Sequence, residues 1–173
     1  MGVQTVMLMA VLFAKKEIAG LEDANLITSV LLIQFVGILG SFLFSRISNK
    51  IGNIKTLGLT LFIWIAICIG TYAFVFTPNA FYVIACSVGL VMGGIQSLSR
   101  STYSKLLPET TDNASFFSFY DVCEKVGIVI GMLSFGFIEG VTGSMRNSIL
   151  ALIIFFILGF VVLLTIPKSK NVS

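Results

Sequence analysis

Histidine is absent from the chain. Its absence removes the commonest metal ligand and the one side chain that ordinarily titrates near neutral pH. It also removes every nucleophile that needs an imidazole partner. Charge is nearly as scarce. Asp, Glu, Lys and Arg make up 11% of the 173 residues, where a soluble domain carries about 25%. Cysteine is confined to Cys68, Cys86 and Cys123, without a Cys-x-x-Cys spacing. Each falls in an apolar run, where a thiol packs as a small hydrophobe. There is no Gly-x-Ser-x-Gly elbow and no set of clustered metal-binding carboxylates. Neither an enzyme nor a metal or other cofactor is expected. A net charge of +3 is too small to point to nucleic acid. No basic segment precedes the first apolar run, so a cleavable signal peptide is not expected.

Apolar side chains fill the space that charge leaves. They are 57% of the residues, and the mean hydropathy is +1.03. Residues 26–45, 57–76, 80–98 and 149–166 contain no Asp, Glu, Lys or Arg. A helix crosses a hydrocarbon core with about 20 apolar residues, so each run reads as a transmembrane helix and the lipid bilayer as the first partner. Residues 115–138 form a fifth such run, and it alone carries charge, at Asp121, Glu124 and Lys125. Charge within a span is costly, so functional residues are sought there first.

The opening segment is short. Residues 2–14 are apolar almost all round and then meet Lys15, Lys16 and Glu17. They would cover about 20 Å as a helix, against the ~30 Å of a hydrocarbon core. A complete protein would leave its amino group inside the bilayer, so the segment reads as the second half of a helix whose beginning is missing. The expectation is an all-α membrane protein, one bundle over residues 1–173 with five full spans and a stub. The connections are read as a basic loop between the first two spans, a tight Thr77-Pro78-Asn79 turn, and a polar segment to Asn113 broken by Pro108. A turn around Gly140 and Gly143 follows, and Pro167 ends the last helix.

Orientation follows from loop Lys and Arg. One side receives Arg46, Lys50, Lys55, Arg100, Lys105, Lys168 and Lys170, and the other Lys15, Lys16 and Arg146. This expects the richer side, with the C-terminus, in the cytoplasm. The spans also differ in texture. Runs 57–76 and 149–166 are almost wholly aliphatic and aromatic, whereas 26–45, 80–98 and 115–138 are interrupted by Gly, Ser and Gln. The first pair is expected to face lipid, and the others, with the stub, to line something internal.

Gly89, Gly93, Ser97 and Ser101 recur every four residues, on one helix face where another backbone can approach closely. Gln96 and Arg100 are four apart on an adjacent face. Gln34 shares a stripe with Gly37, Ser41 and Ser45, and the opening segment carries Gln4 and Thr5. Such amides either hydrogen-bond between helices or contact substrate. Asp121 can pair with Lys125 one turn on. Arg100, near the same end of its own span, can reach Asp121 or Glu124. That cluster is either an ion-pair clasp or a gate and protonatable coupling site whose pairing changes between conformations.

The basic loop, with Ser45, Ser48, Asn49, Lys50, Gly52 and Lys55, resembles the loop signature of the major facilitator superfamily, Gly-x-Leu-Ala-Asp-Arg-x-Gly-Arg-Lys. Ser48, Lys50 and Gly52 fit, and Lys55 adds basic charge beyond. Ser45 stands at the first Gly and Asn49 at the Asp, so the charge that helps latch two bundles in that superfamily is lost. GVQTVMLMA (2–10), GGIQSLSRSTYSKLLPE (93–109) and FFSFYD (116–121) followed by Lys125 resemble the vacuolar-effluxer-like branch of that superfamily, the autophagy-related amino-acid effluxers. Ser118 and Ser115 depart from it, where Gly and Glu are expected. The resemblance covers nearly the whole chain and corresponds to the second six-helix half. It implies a secondary transporter of small solutes working by alternating access, with amino-acid efflux suggested by the fungal relatives. It also implies a multi-pass protein of the bacterial cytoplasmic membrane. The first six helices would come from a missing amino-terminal half or a second chain. The competing expectation is a non-transporting truncated remnant or a scaffold subunit.

Overall fold

The computed structural model describes residues 3, 5, 6, 23–74, 78–107, 112–143 and 145–165. These form helices and no strand. The helices are α1 (Asp23–Ile51), α2 (Asn53–Phe74), α3 (Pro78–Leu106), α4 (Asn113–Thr142) and α5 (Met145–Thr165). Residues 3, 5 and 6 are also helical. Four of the helices, α1, α2, α3 and α5, are long and apolar enough to cross a membrane. The longest, α4 with 30 residues, carries Asp121, Glu124, Lys125 and Glu139 along its length.

Three of the helices, α1, α3 and α4, overrun their apolar spans at both ends. The 29 residues of α1 and of α3 would each measure about 43 Å, close to the ~40–45 Å of a bilayer with its headgroups. Hydropathy marks only the hydrocarbon portion, whereas backbone hydrogen bonding continues into the polar zone.

The overrun corrects one reading outright. The segment around 46–55 is not a loop. Ser45, Ser48, Asn49 and Lys50 occupy the last two turns of α1, and Lys55 lies in the first turn of α2. Gly52 alone separates the helices, with φ at 89°, a conformation that costs little only without a Cβ. Its N–H donates to the Ser48 carbonyl at 2.8 Å, and its own carbonyl accepts from the Thr56 N–H at 3.1 Å. One residue therefore reverses the chain. Gly140 likewise stays helical. The stop comes at Gly143, left-handed at φ 68°, whose N–H caps the Glu139 carbonyl at 2.8 Å.

At the other end of α4, the Asp112 carboxylate accepts from the Ser115 N–H at 3.2 Å. Hydrogen bonds from the Ser115 side chain and backbone hold the Asp112 carboxyl below the usual carboxylate range. A depressed pKa means that the cap contributes above the ordinary carboxylate pKa and is lost as pH falls through the lowered value. Protection of the Ser115 amide from hydrogen exchange should therefore fall on acidification in the native chain. In Asp112→Ala it should be low at every pH.

The core lies between α2, α3 and α5. Trp64 is fully buried and stacks on Phe156, with ring centroids 5.3 Å apart. Ile67, Cys68, Ala85, Val88 and Leu152 surround this pair in one apolar cluster. The expectation that 57–76 and 149–166 simply face lipid is thus half right. Phe62 and Ile69 of α2 and Val162 and Leu164 of α5 are exposed, but the opposite faces of both helices build the core. Lipid tails are as apolar as leucine, so composition cannot say which face turns inward.

The most extensive interface joins α1 to α3. Gly89 lies against the Ile33 backbone, Gly93 against Gly37, and Gly40 against Leu90. The four-residue repeat of small residues is therefore a seam of direct backbone approach over Gly89 and Gly93. The opening segment reaches the bundle too. Thr5 is fully buried and touches Gly131 of α4, and Val3 is buried.

Candidate functional site

A cleft of about 740 Å³ opens between α1, α3 and α4. From α1 come Gln34, Gly37 and Ser41, and from α3 come Gln96, Ser97, Ser99 and Arg100. Tyr120, Cys123 and Glu124 of α4 close the third side, and Val3 also contributes. The same interrupted texture that marked these spans in the sequence gives the cleft its polar wall. Helical spacing explains the grouping. Gln34, Gly37 and Ser41 recur at three and four residues, as do Gln96, Ser99 and Arg100, so each set occupies one face.

The Arg100 guanidinium bridges α3 to α4. Its Nη2 donates to Asp121 Oδ1 at 3.3 Å and lies 3.9 Å from Glu124 Oε2. The guanidinium carbon also lies 6.0 Å from the centre of the Tyr120 ring. Asp121 and Glu124 are three residues apart, on adjacent positions of one helix face, so one cation serves both. The Arg100 and Asp121 side chains are 60% and 55% exposed, and that of Glu124 is 21% exposed. An ion pair this open to solvent adds little to stability and is correspondingly easy to break.

Around this pair lies a set of side chains that sequence spacing did not single out. Ser99 Oγ and Tyr120 Oη are 2.7 Å apart. The Tyr103 hydroxyl donates to the Phe116 carbonyl at 2.9 Å, and its ring packs against Phe117 and Tyr120. Long side chains thus connect α3 and α4 where their backbones make few close approaches. The available signal was the tyrosines themselves. Aromatic rings carrying a hydroxyl suit a boundary between apolar and wet surroundings.

The structure sorts the remaining sequence candidates. Lys125 is exposed and outside the cleft, and among the described residues it forms no ion pair with Asp121. The two are one turn apart, but Arg100 from the facing helix takes the carboxylate. Gln4 lies outside the described residues. Ser45, Asn49, Lys50 and Lys55 are exposed at the basic end of the bundle and outside the cleft. Ser48 is buried and donates to the Ser45 carbonyl at 3.0 Å.

The residue that fixes this end is one that motif reading passed over. Asn53, only 2% exposed, donates to Ser101 Oγ and accepts from Lys105 Nζ, both at 3.3 Å. It ties the Gly52 reversal to the last turns of α3. Asn53→Ala should cost about 1 kcal/mol in unfolding free energy measured in detergent. Ser48→Ala, which loses only a bond within its own helix, should cost less.

These features define a multi-pass α-helical membrane protein with a polar cleft between its helices. Among the described residues no three His, Cys, Asp or Glu side chains gather as a metal site would require. Residues 1–172 match the family described as vacuole effluxer Atg22 like, and the chain belongs to that family. It is 28% identical over 98% of its length to an uncharacterized MFS-type transporter, YxiO, of Bacillus subtilis, covering 39% of that protein. It is 31% identical over 98% of its length to autophagy-related protein 22 of Yarrowia lipolytica, covering 30% of it. The corresponding protein of Eremothecium gossypii is 26% identical over 90% of the chain, with 32% of that protein covered. The chain therefore spans about a third of the length of the relatives it matches.

Proposed function

We infer that the chain works as the carboxy-terminal six-helix bundle of a twelve-helix secondary transporter, moving small solutes by alternating access. The observation that carries this reading is the cleft between α1, α3 and α4, with Arg100 of α3 and Glu124 of α4 meeting at its edge. Its volume of about 740 Å³ falls within the ~300–1,000 Å³ usual for small-molecule sites. A guanidinium and a carboxylate side by side suit a substrate carrying both charges, so amino acids are the proposed class and efflux the proposed direction. The amino-terminal half completes the path from the other side. The basic end, with Arg46, Lys50, Lys55 and Lys105, is assigned to the cytoplasm.

The exposed apolar faces of α1 and α4 support this arrangement. Phe35, Leu39 and Phe42 line one face of α1, and Val122, Val126, Val129 and Leu133 one face of α4. They need lipid or other helices as cover. The test is flux of labelled amino acids in vesicles holding this chain together with the amino-terminal half. Flux above that of either half alone is the expected result. Flux equal to empty vesicles with both halves present and folded would sink the reading and leave a scaffold role.

A further inference from the structure

We propose that the corner where α1 meets α2 is a binding surface for anionic phospholipid, its phosphate drawn to Arg46, Lys50 and Lys55 and its acyl chain laid along the outer face of α2. The charge balance at this corner is one-sided. Residues 24–108 contain no Asp or Glu, and their basic side chains are Arg46, Lys50, Lys55, Arg100 and Lys105. Arg100 faces Asp121 and Glu124, and the Lys105 ammonium donates to Asn53. Asp112 caps the first turn of α4. Among the described residues no ion pair involves Arg46, Lys50 or Lys55, and all three are exposed. Like charges held this close repel unless an anion joins them. None of the three lines the cleft, so this surface does not depend on the transport reading.

The corner is fixed, which keeps the cations together. The Gly52 carbonyl accepts from both the N–H and the hydroxyl of buried Thr56, at 3.1 and 2.8 Å. Lys50 and Lys55 therefore flank a single-residue reversal, and Arg46 stands one turn before Lys50 on the same face of α1. Helical spacing then sets apolar surface directly below the charge. Lys55, Leu59, Phe62, Ala66 and Ile69 recur at four, three, four and three residues, on one face of α2, and every one of them is exposed. From Leu59 to Ile69 the stripe runs about 15 Å, half of the ~30 Å hydrocarbon core. A cationic head above an apolar strip one leaflet deep matches a phospholipid in both charge and length. The ordinary attraction of such a segment to an anionic leaflet is about fivefold in affinity for each Lys or Arg near the surface.

The test reads the lipid beside α2 by quenching of tryptophan fluorescence in the full chain. Trp64, the sequence's single tryptophan, is fully buried and gives a constant background. Leu59→Trp places a reporter one turn below Lys55, and Ile69→Trp places one about 21 Å away along the helix. Each is reconstituted in phosphatidylcholine vesicles containing brominated phosphatidylglycerol or, at the same fraction, brominated phosphatidylcholine. Leu59→Trp should be quenched more by the anionic lipid, and Ile69→Trp equally by both. The preference should fall about fivefold with each of Arg46→Gln, Lys50→Gln and Lys55→Gln, and should vanish in 1 M salt, where charges are screened within about 3 Å. Equal quenching of Leu59→Trp by the two lipids would overturn the surface. So would a preference that all three single variants leave unchanged, or one equally strong at Ile69→Trp.

Discussion

Gly93→Ala should unfold or split the bundle far more readily than alanine at a glycine with open space around it. The added Cβ would run into the Gly37 carbonyl oxygen, 2.6 Å from its carbon and 2.9 Å from Gly37 Cα. Those are backbone atoms, so no rotamer change can make room, and α1 and α3 must move apart along their whole contact. Separation also costs the seam its dispersion energy, which falls steeply with distance. Overpacking typically costs 1–3 kcal/mol, and a backbone clash in the largest interface should reach about 3 kcal/mol or more. Gly136 of α4 is the control, because a Cβ there meets nothing within 4 Å. Gly136→Ala should be neutral or stabilise by up to about 1 kcal/mol, through helix propensity alone. Equal unfolding free energies for the two variants in detergent would show that the seam is not closed in the working protein.

Under the proposed function, removing the Arg100 cation should sharply lower flux while leaving the fold in place. Arg100→Gln keeps a hydrogen-bonding side chain but leaves Asp121 and Glu124 without their shared cation, at 3.3 and 3.9 Å in the native chain. Two carboxylates three residues apart then repel. The pair is largely exposed, so stability should change by less than about 0.5 kcal/mol. Flux should fall more than tenfold, equivalent to about 1.4 kcal/mol in the barrier, because the cation that both α4 carboxylates share is gone. Asp121→Asn should have the smaller effect, since Glu124 still faces the guanidinium. The measurement is flux with the amino-terminal half present, alongside thermal unfolding of each variant. Wild-type flux in both variants would remove the cluster from the transport cycle.

Much of this arrangement was legible in one dimension. The five helices were marked by runs of about 20 apolar residues, and Arg100 was placed opposite Asp121 and Glu124 by counting turns from one end. The seam was written as Gly89 and Gly93 four residues apart. What failed to read was local in one case and directional in the other. The residues around the first reversal look like a polar loop because they are polar, yet polar residues also cap helices that protrude from the hydrocarbon. Only the φ of Gly52 shows that one residue makes the turn. Asn53 was overlooked because its partners, Ser101 and Lys105, lie 48 and 52 residues away.

The sequence by itself determined that this chain makes long apolar helices with scarce charge collected largely at one end of the bundle. Those properties follow from the hydrophobicity of each segment and the 1.5 Å rise per residue. Only the tertiary structure decided that Trp64 turns inward, that Lys125 is left out of the ion cluster, and that Tyr103 and Tyr120 join α3 to α4. Lipid and protein interior solvate an apolar side chain almost equally well, so hydropathy carries no direction. Direction comes from the close fit of helix against helix, which is a property of pairs of segments and not of either one.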